Sequence, residues 1–445
     1  MDILLLNQIW FVEELRALGH RIVTAGLDER FDVQIHAPLT HISQIIERAP
    51  DNFNPDRIVM FDNSGPLVVT GLEEVEIPML FYSIDTHHHL SFHRHYYQLF
   101  DYTLLAQRDY LDALMELGRS EDRPLAEWMP LWSSQPIEPC SDKIYGTVFV
   151  GQLNAKLNPG RVKFFERLKA RVPMLCISGE FWSIFPVSEI VINQTVKGDL
   201  NFRVFEALES GALLLTERTG NGLFDLFVDG EHLVTYEKDN VEEAAGIIER
   251  YLADPQAARA IAARGRAAVY AKHQPIHRAE RLNQILISMR KVPCNQRYLS
   301  AMTMYLWSAR RLESLDTLRA SKGYAAMLEC ATKALEKCEP IREESAISLV
   351  MGALRYDHFM HTGAGVSLML AYAEAYRHPV FDLAYIRTML NNGRHAEARA
   401  RAIERFANLE PEVIYSSAEL MMSSILKELF ASDERMTEPS EQLPV

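Results

Sequence analysis

Short apolar runs alternate with amphipathic stretches through the first 290 residues of the chain. The runs ILLL (3–6), RIVTAG (21–26), FDVQIHA (31–37), RIVMF (57–61), IPMLFYSI (77–84), YTLLAQ (102–107) and WMPLW (128–132) read as strands buried on both faces. Between them, IWFVEELRALG (9–19), ISQIIERA (42–49) and RDYLDALMELG (108–118) carry apolar residues at helical spacing, and Gly19 supplies a stop. Strands joined by helices predict a parallel, doubly wound α/β domain over residues 1–135. The prolines and polar residues of SSQPIEPCSDK (133–143) predict a linker.

The pattern then restarts with GTVFVGQ (146–152), RVKFFERLKAR (161–171), PMLCISG (173–179), EIVINQ (189–194), NFRVFEALESG (201–211), ALLLTE (212–217) and HLVTY (232–236), followed by helices over 241–254 and 255–273. This predicts a second Rossmann-like domain over residues 144–290. From Val292 the strands vanish, and residues 292–430 read as an α-helical domain. Its stretch LNNGRHAEARARAIERFANLEP (390–411) resembles the latter half of a tetratricopeptide hairpin, with a fainter echo in YAAMLECATKALEKCEP (324–340). An array of hairpins and an irregular bundle both fit. Residues 431–445 read as a disordered tail.

Composition narrows the function. A length of 445 residues allows two or three domains, and a formal charge of −14 argues against a nucleic-acid binder or a polybasic membrane-surface protein. The five cysteines are odd in number and widely spaced, without a CxxC pair, which suits a reducing, cytoplasmic setting. MDILLLNQIWF has no basic leader and reads as a first strand rather than a signal peptide. No apolar run reaches 18 residues, so no membrane span is expected.

Two Rossmann-like domains place a cleft between their carboxyl edges, where such sheets bind ligands. In NFRVFEALESGALLLTE (201–217) a helix meets a glycine stop and then a buried strand, with Asp199 or Asn201 placed to cap the helix. A helix N-terminus at that edge offers free N–H groups to a diphosphate. Glu206 can accept two hydrogen bonds from a ribose diol, although a surface helix carboxylate fits the same spacing. The glycines of TERTGNG (216–222), Gly220 among them, allow close backbone approach to a ligand, and Trp182 of ISGEFW is placed either for a nucleobase or for packing.

The stretch SIDTHHHLSFHRHYY (83–97) holds five of the chain's fifteen histidines. Asp85, His87 and His89 share a face of an extended segment, and His89 and His93 are an i,i+4 pair. No HExxH glutamate accompanies them, so a metal site is not expected. Following a strand of the first domain, Asp85 and His87 are instead candidates to bind a substrate hydroxyl or take its proton. His88, His93 and His95 are expected to support them or to lie exposed.

The run NFRVFEALESGALLLTE, continued by LFVDGEHLVTYEKDNVEEAAGIIERYLADPQAARAIAARGRAAVYAKH, resembles the C-terminal domain of GT-B glycosyltransferases. It is most similar to the CgeB-like, spore-maturation-type branch related to glycosyltransferase family 4. The resemblance is strongest over 145–275 and weaker over 77–118. It implies a GT-B fold of two Rossmann-like domains, here with a C-terminal all-α domain, and a metal-independent hexosyltransferase. It also implies that Glu206 holds the donor ribose, that Asn201 to Arg203 face the diphosphate, and that cations after the domain's first strand neutralise it. Lys156, Arg161 and Lys163 are available there, with Lys156 and Arg161 the preferred pair. The family pattern has a second glutamate eight residues before Glu206. Here that position is Gly198, which puts the stereochemical course in doubt and leaves Asp199 as a neighbouring substitute.

The expected activity is transfer of a sugar from a nucleoside diphosphate sugar, UDP or GDP type, to a protein, glycan or lipid-linked acceptor, with no other cofactor. The helical domain is a candidate protein-binding surface. The alternatives are a non-catalytic GT-B scaffold acting through that domain and a sugar-nucleotide epimerase.

Overall fold

The computed structural model describes residues 1–36, 39–62, 69–115, 125–292, 297–313, 318–337, 343–360, 364–376 and 378–436. The first domain runs β1 (Asp2–Leu6), α1 (Val12–Ala17), β2 (Arg21–Gly26), β3 (Val33–Gln34), β4 (Thr40–His41), α2 (Ile42–Glu47), β5 (Arg57–Phe61), β6 (Val69–Thr70), β7 (Met79–Ser83), α3 (Thr86–Tyr96), β8 (Tyr102–Leu105), α4 (Leu111–Met115) and β9 (Leu125–Trp128). Seven strands form one parallel sheet in the order β3-β2-β1-β5-β7-β8-β9, while β4 and β6 pair separately.

The second domain runs β10 (Tyr145–Val150), α5 (Pro159–Lys169), β11 (Leu175–Ile177), α6 (Phe181–Ile184), β12 (Ser188–Asn193), α7 (Phe202–Glu209), β13 (Leu213–Glu217), α8 (Leu223–Leu226), β14 (Val234–Tyr236), α9 (Val241–Ala253), α10 (Pro255–Lys272) and α11 (Pro275–Ser288). Its five parallel strands are ordered β11-β10-β12-β13-β14. Helix α11 then crosses back to the first domain, where Asn283 Oδ1 meets His20 Nε2 at 2.7 Å and the Leu286 carbonyl accepts from Arg57 Nε at 2.7 Å.

The expectation of strands buried on both faces holds residue by residue. Ile3 and Leu5 enter one core while Leu4 and Leu6 enter another, and Val59/Phe61 and Ile58/Met60 divide in the same way. The core on the Ile3 side continues into the second domain through Val148, Val191 and Leu214, with Trp132 stacked edge-on between Trp10 and Phe202 at 5.3 and 5.1 Å. The far face of the second sheet has its own core around Phe149, Phe165, Ile192 and Leu215.

Three local expectations are corrected. The strand assigned to WMPLW lies earlier, at Leu125–Trp128, because Pro130 has no N–H to give a ladder; Met129, Leu131 and Trp132 are buried without being strand. Of FDVQIHA only Val33–Gln34 pairs, and Ala37 lies outside the described residues. RDYLDALMELG opens with a 3₁₀ turn over Arg108–Tyr110 before α4, and 116–118 lie outside the described residues.

Among the described residues seven helices follow: α12 (Arg297–Glu313), α13 (Leu318–Glu336), α14 (Glu343–Met360), α15 (Ala364–Tyr376), α16 (Pro379–Asn391), α17 (His395–Arg405) and α18 (Pro411–Met436). The last runs six residues into the segment expected to be a tail, since no proline or glycine interrupts 412–436; residues 437–445 lie outside the described part. Helices α12 and α13 share the Leu4 side of the first sheet's core through Met302, Tyr305, Tyr324 and Met327. Tyr305 fixes the contact, donating its hydroxyl to Glu73 Oε2 at 2.6 Å and accepting the Gly71 N–H at 2.8 Å. Helices α16 to α18 close around a smaller cluster of Ile386, Met389, Ala398 and Ile414. Among the described residues no helix is long and apolar enough to cross a membrane.

Candidate functional site

Strand order reverses between β1 and β5 in the first sheet and between β10 and β12 in the second, and each reversal opens a crevice at the carboxyl ends. Arg203, in the first turn of α7, lies over the second crevice. Its Nε donates to the Val150 carbonyl at 3.0 Å and its Nη1 to Asn193 Oδ1 at 2.7 Å, so one guanidinium spans the ends of β10 and β12. Arg161, near the start of α5, donates Nη2 to the Gln194 carbonyl at 2.8 Å. Both guanidinium groups lie over the Phe149 ring, Arg203 at 4.8 Å and Arg161 at 5.8 Å from its centre. Burial, followed by the Arg161 charge, lowers the Arg203 pKa to about 10, which leaves it cationic at neutral pH.

Asn201 occupies the cap position of α7, but its side chain turns to Asn193 Oδ1 at 3.3 Å and leaves the helix N-terminus without a side-chain cap. Around this pair of cations, Arg161 Nε, Gln194 Oε1 and Asn201 Oδ1 are buried without a hydrogen-bond partner. Orphaned buried polar atoms are costly, and a cluster of them marks where an external polar group belongs. Lys156 sits in the turn after β10, exposed to solvent, so the cation that joins Arg161 is Arg203 rather than Lys156. Trp182 is also exposed, while its neighbour Phe181 packs on Phe185.

Glu206 lies one turn into α7 and is only 7% exposed. Its Oε1 accepts from the hydroxyl of Ser134, in the interdomain linker, at 2.5 Å. Burial raises its pKa to about 7 despite that bond and the nearby Arg203.

The facing wall comes from the first sheet. Asp62, just beyond β5, accepts the N–H groups of Ile84 and Asp85 at 3.1 and 2.8 Å and so fixes the turn from β7 into α3. Asp85 takes the cap position of α3 without a side-chain cap bond. His87 is 8% exposed, and its Nδ1 is enclosed without a partner. Burial lowers its pKa, while Asp199 and Asp85 pull it up and Lys197 and His89 push it down. Asp199 and Lys197 belong to the second domain, so the charges acting on His87 come from both sides of the cleft. Of the other histidines, burial lowers His88 to about 4 and His93 to about 4. His93 is a packing residue, bonded to Ser83 Oγ at 2.8 Å and edge-on to Phe81. Helix α3 breaks its regular geometry at His89. Among the described residues no group of three His, Cys, Asp or Glu side chains is placed to hold a metal ion.

Residues 162–284 match the model of a CgeB-like family described as glycosyl transferase-like. Crystal structures of Anabaena HepE, one in complex with UDP and glucose and one with UDP-glucose, each align with a TM-score of 0.50 and 12% identity, over 65% of this chain and 100% of theirs. Sucrose-phosphate synthase from Thermosynechococcus elongatus aligns with a TM-score of 0.46 and 12% identity, over 64% of this chain and 98% of its own. No curated protein matches the chain. The two parallel sheets form a GT-B fold. At this identity the likeness to the solved structures is one of fold. It does not extend to a tetratricopeptide-type repeat in the helical region.

The GT-B cleft is already bridged on one side. Gln107, just beyond β8, accepts the Leu200 N–H at 2.9 Å and donates to the Leu200 carbonyl at 3.3 Å. Asp109 Oδ2 accepts the Asn221 N–H at 2.8 Å, and Arg108 pairs with Asp225. Gly220 belongs to this contact, because a Cβ there would fall 2.2 Å from Asp109 Oδ2. Gly198 has a left-handed φ of 77°, and its carbonyl accepts from Asn221 Nδ2 at 2.7 Å and Thr219 Oγ1 at 2.5 Å. A side chain in that conformation would be strained, and Asp199, 8% exposed, is the acid of this segment.

Gln107, Asn193, Ser134 and Asp62 were not singled out by the sequence. The available signal was a polar residue at the carboxyl end of a buried strand, at Gln107, Asn193 and Asp62; Ser134 had none.

Proposed function

We propose that the protein transfers a sugar from a uridine diphosphate sugar to an acceptor hydroxyl held between the two sheets. The observation that carries this reading is Arg203 bracketed across the ends of β10 and β12, beside Arg161 and three unpartnered buried polar atoms. A diphosphate lying there gains two fixed cations and the uncapped N-terminus of α7, and both stabilise the charge that builds as the glycosidic bond breaks. Glu206 takes the ribose hydroxyls, with Asn201 and the Gly220 loop on the sugar side and Lys156 at the mouth.

In the transfer step the acceptor oxygen bonds to the anomeric carbon. The bond from that carbon to the diphosphate oxygen breaks, its electron pair leaving with UDP. The acceptor's proton passes to His87, with Asp85 beside it on the acceptor wall. HepE, bound to UDP and glucose, supports a UDP-type donor. The acceptor is a glycan, lipid-linked or protein hydroxyl, and the helical region is available to bind a protein acceptor.

A thermal-shift screen against UDP, GDP and their hexose conjugates tests the reading. UDP compounds are expected to raise the melting temperature by several degrees, and no response to any nucleotide would sink it. The bracket itself can be tested at Gly151, whose missing side chain leaves room for Arg203: an added Cβ would fall 2.5 Å from Arg203 Nη2. Gly151→Ala is expected to weaken UDP binding about tenfold by calorimetry, the worth of one charge-assisted hydrogen bond. Unchanged affinity would remove Arg203 from the diphosphate site.

A further inference from the structure

Gln107 does more than join two domains. Its amide nitrogen, besides bonding the Leu200 carbonyl, lies 3.5 Å from the carbonyl of Ile84 and donates to it. Leu200 directly follows Asp199, and Ile84 stands three residues before His87. One buried side chain thus ties the segment bearing Asp199 to the segment bearing His87. Both of those side chains are 8% exposed, and the His87 ring has an enclosed, unpartnered Nδ1.

We propose that Asp199 and His87, supplied by opposite domains, form one acid–base pair across the cleft, and that Gln107 assembles it in the closed arrangement. The proposal rests on the reading of this cleft as the site of transfer. Asp199 is fixed in place by its neighbours. Its Oδ1 accepts the Val196 N–H at 3.1 Å, and the nearby Asn201 amide favours its charged form. Burial pushes its pKa up, but His87, the Val196 N–H and Asn201 outweigh this and hold it below the ordinary value, so it stays ionised. The charged and titratable groups acting on His87 are Asp199 and Lys197 from the second domain and Asp85 and His89 from its own segment, with His88 adjacent and His93 further along α3.

When His87 takes the proton of the acceptor hydroxyl, the imidazolium is favoured by the field of an ionised carboxylate that does not itself accept the proton. Asp199 is therefore a positioning residue that makes a buried imidazole basic enough to act. Because it comes from the other domain, the basicity of His87 depends on closure, and an open cleft holds a poorer base.

The test reads His87 directly and needs no acceptor. The full chain is labelled with ¹⁵N-histidine, and the His87 ring is assigned by its disappearance in His87→Gln. Its titration midpoint is then followed by NMR. Asp199→Asn, which keeps shape and hydrogen bonding, is expected to lower the midpoint by about one unit. In a Gln107→Ala background the same Asp199→Asn change is expected to move it by less than about 0.3 unit, since the pair is no longer assembled. An unchanged midpoint in Asp199→Asn overturns the pair. A full-sized Asp199 effect in the Gln107→Ala background overturns the role of Gln107. UDP binding, measured on the same samples, is expected to survive Asp199→Asn. Its absence in the wild type would count against the donor site, not against the pair.

Discussion

Replacing Glu206 with glutamine is expected to raise the melting temperature of the ligand-free protein at pH 8 and to remove the pH dependence of the proposed UDP-glucose binding. Both effects follow from one buried carboxylate. Its pKa is about 7 in the folded protein against 4.5 for the free side chain, so folding takes up a proton at this site. The stabilisation is fully present below about pH 4.5 and is lost as the pH rises through about 7. Over that window the loss is on the order of 3 kcal/mol. Glutamine cannot ionise and escapes it, so the melting-temperature gap between variant and wild type widens from pH 5 to pH 8.

The ribose diol asks for the opposite protonation state, since an ionised carboxylate accepts both hydroxyl protons. Wild-type affinity for UDP-glucose, whose diphosphate stays fully ionised in this range, is therefore expected to fall about tenfold from pH 8 to pH 6. The Gln variant is expected to bind weakly and without pH dependence throughout. Equal UDP-glucose affinity in the two proteins would place the ribose elsewhere. The instability of apo Glu206 at neutral pH is then a cost of holding a carboxylate ready for its ligand.

Arg203→Met is expected to lower UDP affinity about 100-fold while leaving uridine binding within about twofold. Truncating one partner of a buried, hydrogen-bonded charge pair costs about 2–5 kcal/mol, and a diphosphate left without one of its two cations falls in that class. Uridine carries no phosphate and does not register the loss. Calorimetry with the two ligands separates the outcomes: a parallel drop for both would mean that the variant has disturbed α7 and Glu206 with it, not the diphosphate contact alone. Methionine also strands Asn193 Oδ1, which keeps only its contact with Asn201. A moderate fall in melting temperature is therefore expected as well.

How much of this was legible beforehand depended on whether local pattern or distant contact decides each feature. Both parallel sheets were visible because their strands are apolar on both faces, as the division of Ile3/Leu5 from Leu4/Leu6 between two cores shows. WMPLW misled because aromatic residues buried in irregular chain look like strand until Pro130 is weighed. At the site, Asn201, Arg203 and Glu206 could be named because a helix with a glycine stop before a buried strand has a local signature, and Arg161 because it follows the domain's first strand. Which cations gather could not be named, since the turn over 151–158 leaves Lys156 in solvent and the Phe149 ring brings Arg161 to Arg203. Gln107 and Ser134 act on partners 93 and 72 residues away in the chain. No spacing rule reaches that far.

The shared core of the first sheet and helices α12 and α13 has a further consequence. Those helices roof one face of the sheet whose carboxyl edge carries the histidines, and Tyr305 and Glu73 fasten roof to sheet. Any load placed on the helical region would thus move with the first sheet as a single lever. Its weight, stiffness or tether would be felt at the fulcrum between the sheets, where Gln107 grips Leu200.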